Sequence, residues 1–193
     1  SPGNNTILLN LARLHVKQKK YREARLLYEN ILRAQPNLFS ANKELGFIYK
    51  AEGRSADAIS QFSRASKLQP KDHEVLFELG HLYFRRGKNN TASKYYLKAI
   101  SIKEQSIYYA ALANLYENTG QVEDCITAYQ KSYQLDNDNY EAVFRLAVLT
   151  LNRGELKRAA QYLKIALRLK SNKGEVYKYF GVLLRKQKQF DKS

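Results

Sequence analysis

His15, His73, His81, Cys125 and the adjacent acids Glu123 and Asp124 are the residues of this sequence best equipped for chemistry. A histidine can hold a metal or move a proton near neutral pH. A thiolate can attack an electrophile, and paired carboxylates can divide acid and base roles between them. The spacing supports none of these. The histidines are scattered, Cys125 has no second cysteine beside it, and the sequence holds no HExxH, no GxSxG and no glycine-rich phosphate loop. His15 falls at an apolar place of the local pattern, where a satisfied, buried ring is expected. His73 opens a helix in contact with solvent. Cys125 takes the place of a small buried apolar residue. Glu123 and Asp124 stand at the start of a helix, where they favour its dipole. No catalytic residue, no metal site and no cofactor is expected, so the chain reads as a non-enzyme.

The elements that position these residues recur along the chain. The stretch 39–72 is 34 residues long, with Leu45, Gly46, Tyr49, Gly53, Ala58, Phe62, Ala65 and Pro70 at places 7, 8, 11, 15, 20, 24, 27 and 32. Neighbouring stretches repeat the pattern. The repeats run 5–38, 39–72, 73–105, 106–139 and 140–173, followed by half a repeat at 174–193. Residues 1–4 read as a cloning scar or tail, and the stop at Ser193 reads as a piece of a longer array. Place 8 is always glycine or alanine (Ala12, Gly46, Gly80, Ala113, Ala147, Gly181). Place 20 is small as well. Small residues at these two places let two helices approach closely, while large residues at 7, 11 and 24 fill the gaps at helical spacing. Glycine at place 15 can take a left-handed conformation and end the first helix. Pro36 and Pro70 stop the second helix. Lys19 stands where repeat one should have its glycine.

This pattern resembles the tetratricopeptide repeat, a helix–turn–helix unit of the same period, over nearly the whole chain. The resemblance implies an all-α, right-handed superhelical solenoid of antiparallel helix pairs, A and B, that binds protein partners along a groove lined by the A helices. Carried over place by place (2, 5, 9, 12 and 13), it assigns Arg13, Lys43, Phe47, Lys50, Phe77, His81, Phe84 and Arg85 to the groove in the first three repeats. Asn114, Phe144 and Val148 follow in repeats four and five. A subclass of the family clamps chaperone C-terminal carboxylates, but Phe47, Glu78, Ile107 and Ala111 occupy the clamp's places here, so that ligand is not implied. The first half of the groove is therefore basic with aromatics between, Glu74 being its one acid. Aromatics flanked by arginine and lysine suit a binding hot spot, and Asn114 is placed to bond a peptide backbone. The competing expectation is that the phenylalanines only pack between adjacent A helices.

Charge narrows the partner. The formal net charge is +15, yet repeat four holds one basic and five acidic residues between basic neighbours. An interrupted surface suits a polyanion ribbon poorly, so nucleic acid ranks below a protein partner. The expected role is a scaffold holding an extended peptide or helix, acidic with apolar anchors. The alternatives are a basic polyanion-binding repeat protein and the targeting arm of a larger enzyme. Self-association is expected through the acidic fourth repeat or the open C-terminal end. No apolar run approaches the length of a membrane span. A single cysteine offers no internal disulfide and weakly favours a reducing compartment such as the cytoplasm.

Overall fold

The computed structural model describes residues 2–170 and 174–190, with side chains at 6–170 and 174–188. Ser193 and its two predecessors lie outside the described residues. The described residues form eleven helices and no strand. In order they are α1 (Pro2–Lys17), α2 (Tyr21–Ala34), α3 (Phe39–Ala51), α4 (Ser55–Leu68), α5 (His73–Arg85), α6 (Asn89–Ile102), α7 (Ser106–Asn118), α8 (Val122–Leu135), α9 (Tyr140–Asn152), α10 (Leu156–Leu169) and α11 (Gly174–Phe190). Odd-numbered helices are the A helices and even-numbered ones the B helices. Each A helix from α1 to α9 packs most closely on the B helix that follows it. The chain divides into two compact blocks, Ser1–Lys103 with α1–α6 and Glu104–Ser193 with α7–α11.

The close approach within a pair has a visible cause. The ring at place 24 of helix B lies directly under place 8 of helix A. A Cβ added to Gly46 would stand 2.7 Å from the Phe62 ring, and one added to Gly80 would stand 2.6 Å from Tyr96. Phe62, Tyr96 and Tyr129 are fully buried, as are the alanines at places 8 and 20. The turns between A and B helices also follow the pattern. Gly53, Gly87, Gly120 and Gly154 adopt φ of +74°, +70°, +74° and +78°. Lys19 is forced into the same conformation, at φ +59°. An L side chain there costs about 1–2 kcal/mol, and the extra freedom glycine gives the unfolded chain returns about 0.4–1. Lys19→Gly should therefore stabilise the N-terminal block by about 0.5–1 kcal/mol in denaturant unfolding. A loss of stability would show that the Lys19 side chain makes a contact worth more than the strain.

Proline is not required to end the B helices. Gln35 and Gln69, each just before a proline, leave the helical region, as the following ring demands. Lys103, Asp136 and Lys170 leave it at the equivalent point with no proline after them. Repeat four secures this end by polar bonding instead. Ser132, fully buried, donates to the Ser106 carbonyl at 2.9 Å. The Asn139 amide donates to the Ser106 and Ser132 hydroxyls at 3.0 and 3.1 Å. The Asn139 carbonyl oxygen caps α9 by accepting from the Ala142 N–H at 3.1 Å.

Candidate functional site

The face carried by the A helices is built from beneath. The place-24 side chain of a B helix lies under its own A helix, near place 9. Arg13 goes with Tyr28, Phe47 with Phe62, Asn114 with Tyr129 and Val148 with Leu163. The chemistry is matched. Phe47 stands edge-on to Phe62, with centroids 5.1 Å apart at 83°. Val148 and Leu163 share one apolar cluster. Arg13 places its positive charge toward the Tyr28 hydroxyl, whose pKa burial pushes up to about 12. The Tyr129 hydroxyl donates to Asn114 Oδ1, and to Glu117 Oε2 at 3.2 Å. Asn114 Oδ1 is thus already engaged from beneath, as one of two acceptors for the Tyr129 phenol. In repeat three, His81 Nδ1 and the Tyr96 hydroxyl are both buried without a hydrogen-bond partner among the described residues. Burial, then the charge of Lys50, holds the His81 imidazole below its ordinary pKa.

The basic character expected of this face in repeats one to three is neutralised from within at its two lysines. Lys43 Nζ meets Asp72 at 2.9 Å and Glu74 at 2.7 Å. Lys50 Nζ meets Glu78 at 2.6 Å. Burial works against the Lys43 charge, but the bonds from Glu74 and Asp72 outweigh it and raise its pKa. Asp72, which precedes α5, and Glu78, which is 7% exposed inside it, lie off the groove places and so escape a count made over those places alone. Phe77 lies 5.6 Å from the Tyr96 ring, Phe84 is half-buried and Arg85 is exposed.

A cavity of about 670 Å³ opens on this face in the N-terminal block, lined by residues of α1, α2, α3 and α5. Val16, Tyr21, Phe39, Phe47 and Ile48 supply apolar walls. Lys43, Glu44, Lys50 and Glu74 supply the charges. Of the expected site residues it gathers Lys43, Phe47 and Lys50, and leaves Arg13, Phe77, His81, Phe84 and Arg85 outside its lining. Phe39 and Glu44, at places 1 and 6, were not foreseen. A phenylalanine opening an A helix, where the later repeats have His73, Ser106, Tyr140 and Gly174, was the available signal.

In the C-terminal block Phe144 is buried rather than open. It stacks on Tyr140 (5.7 Å, 5°) and meets Tyr179 of α11 edge-on (5.5 Å, 77°). The acids of repeat four are also partly engaged: Glu117 by Arg145 at 3.3 Å and Glu123 by Arg153 at 2.6 Å. These pairs weaken the case for repeat four as a free acidic contact for a second copy. The Cys125 thiol is fully buried, and burial pushes its pKa up to about 12. His15 is half-buried with Nδ1 unpartnered among the described residues, contrary to the satisfied ring expected. Tyr49, at the same place one repeat on, reaches back to Glu29 of α2 at 2.8 Å, and no described helix stands in that relation to α1. Among the described residues no three metal-binding side chains come together, and no helix is long and apolar enough to cross a membrane.

Comparison with known proteins gives a consistent answer. Human protein O-mannosyl-transferase TMTC1 is 26% identical over 121 residues, which are 63% of this chain and 14% of that protein. This chain thus spans about a seventh of that relative's length. The crystal structure of MamA superposes with a TM-score of 0.81 at 22% identity, covering 91% of this chain and 96% of that one. YrrB, described as a TPR protein with an unusual peptide-binding site, superposes at 0.74 and 15% identity over 94% of this chain and 90% of its own. At these identities the two structures share the fold. Models of the tetratricopeptide repeat match residues 6–35, 73–106 and 110–173, and with the paired helices and place-8 contacts above, the chain belongs to the tetratricopeptide repeat family.

Proposed function

We propose that this chain is a non-catalytic scaffold that holds a segment of a partner protein, as extended peptide or helix, against the A-helix face. It does so alone or as one arm of a larger protein. The observation that carries this reading is the cavity between α1 and α3. It combines apolar walls from Phe39, Phe47 and Ile48 with a charged rim and is large enough for a bulky side chain. An apolar anchor seated there would gain about 1.5–3 kcal/mol by burial, and the surrounding charges would set orientation and on-rate. An acidic partner, favoured by residue counts, would have to displace Asp72, Glu74 or Glu78 from lysines already paired.

The test uses peptides selected on the wild-type chain from a displayed random library. Ser40 lines the cavity at half-burial, so Ser40→Arg should fill it without disturbing the core. We expect affinity for the selected peptides to fall at least about tenfold, equivalent to 1.4 kcal/mol, with the helical circular dichroism unchanged. Full retention of affinity in Ser40→Arg would remove this cavity from the binding surface. Recovery of peptides with no aromatic or aliphatic residue in common would remove the anchor.

A further inference from the structure

The four charges lining the cavity are not equally satisfied. Lys43 is held by Asp72 and Glu74, and Lys50 by Glu78. Glu44 is the exception: it is half-buried and takes part in no ion pair or hydrogen bond among the described residues. Arg13 and Lys43 face it as positive charges and Glu74 as a negative one, none of them bonded to it. Burial is the largest influence on its carboxyl, raising its pKa above the ordinary value.

The repeat shows what is missing. Glu78, at place 6 of repeat three, is bonded by Lys50, at place 12 of repeat two, 28 residues earlier. In the C-terminal block the same two places make the same bond with the signs exchanged: Arg145, at place 6 of repeat five, donates to Glu117, 28 residues earlier. Glu44 is at place 6 of repeat two. The residue 28 positions before it is Val16, which lines the same cavity. The carboxylate of a recurring inter-helix ion pair is therefore present, and a valine stands at the place of its cation. The space that a lysine at position 16 would fill is open.

We propose that the cavity beside Glu44 is a subsite for a lysine or arginine side chain of the partner segment, adjacent to the apolar residue seated against Phe39 and Phe47. This rests on the groove reading above and gives the partner a chemistry: basic next to apolar, where residue counts alone favoured acidic. The incoming ammonium or guanidinium stands toward Glu44 as Lys50 stands toward Glu78. Its alkyl stem lies along Val16 and Ile48. The Glu44 oxygens still reach water, so the ligand's gain is a charge-assisted bond formed in a partly buried setting in place of bonds to water.

The experiment uses arrayed short peptides, acetylated and amidated, each with a fixed central phenylalanine and one varied neighbour. The full chain is compared with Glu44→Gln and with Val16→Lys, which supplies the missing cation from within. For the wild type, peptides with Lys or Arg beside the phenylalanine should bind about five- to tenfold more tightly than those with Gln at that position, a charge-assisted bond reduced by partial exposure. Both variants should bring that ratio close to one while still binding the phenylalanine. A wild-type preference for Asp or Glu, no preference at all, or an unchanged ratio in both variants overturns the subsite alone. Failure of every peptide to bind the wild type overturns the groove reading with it.

Discussion

Phe62→Ala should cost the N-terminal block about 3–5 kcal/mol, the range for emptying a fully buried phenylalanine site. Phe62 is 0% exposed, and two neighbours depend on its ring. Gly46 presses against it from above, and Phe47 presents an edge-on ring at 5.1 Å. Removing the ring leaves a hole between α3 and α4 that a glycine cannot fill. It also releases Phe47 from its seat, so the cavity wall should loosen along with the core. In repeat proteins each repeat contacts only its neighbours, so the loss should first appear in the unfolding of residues 1–103. Urea unfolding followed by circular dichroism measures it. Phe62→Leu, which refills most of the volume, should recover more than half of the loss. A cost below about 1 kcal/mol for Phe62→Ala would mean that α3 and α4 close over the gap and that place 24 is not central to the pair.

What the sequence disclosed depended on whether the relevant contact stays inside one repeat. The pairing of Gly46 with Phe62 and of Gly80 with Tyr96 is a relation between two fixed places of the same unit, so periodicity alone predicts it. The turn glycines are local, and so is the strain on Lys19, because the turn must be left-handed whatever residue occupies it. Cys125 was equally legible, since an alanine place dictates a small buried side chain. Contacts between one repeat and the next were not seen. Lys43 and Lys50 looked like free groove charges because their partners, Asp72, Glu74 and Glu78, lie 28 to 31 residues further on. Pairing places 12 and 6 across successive repeats would have revealed Lys50–Glu78 and Glu117–Arg145, and Val16 opposite Glu44 as the exception. Phe144 was assigned to the groove by its place number, while its burial depends on Tyr179 of α11. Asn114 shows a further limit. Its oxygen belongs to Tyr129, and a polar residue above a buried phenol is first a hydrogen-bond partner and only then a recognition group.

The same substitution at the same repeat place should have opposite effects at Gly46 and Gly181. Alanine is the better helix former by about 1 kcal/mol, and neither glycine has the positive φ that would make a side chain strained. Among the described residues, no heavy atom beyond its chain neighbours and the nearby backbone of α11 stands within 4 Å of a Cβ added at Gly181, so Gly181→Ala should stabilise the C-terminal block by about 1 kcal/mol. At Gly46 three atoms of the Phe62 ring lie 2.7, 2.8 and 3.0 Å from the added carbon, closer than van der Waals contact permits. The ring cannot swing away, because it is fully buried and Phe47 holds its other side. Relief requires α3 and α4 to move apart. Overpacking of this kind costs about 1–3 kcal/mol, and we place Gly46 near the upper end, leaving a net loss of about 2 kcal/mol after the gain in helix propensity. Ala12 over Tyr28 and Ala113 over Tyr129 show that a pair built with alanine at place 8 is viable when its helices are spaced for it, so Gly46→Ala should remain folded. Urea midpoints of the two variants measure the contrast, expected to be about 3 kcal/mol in total. Equal and favourable shifts at both sites would mean that the A and B helices slide freely enough to absorb a methyl group, and that place 8 is small for some reason other than close approach.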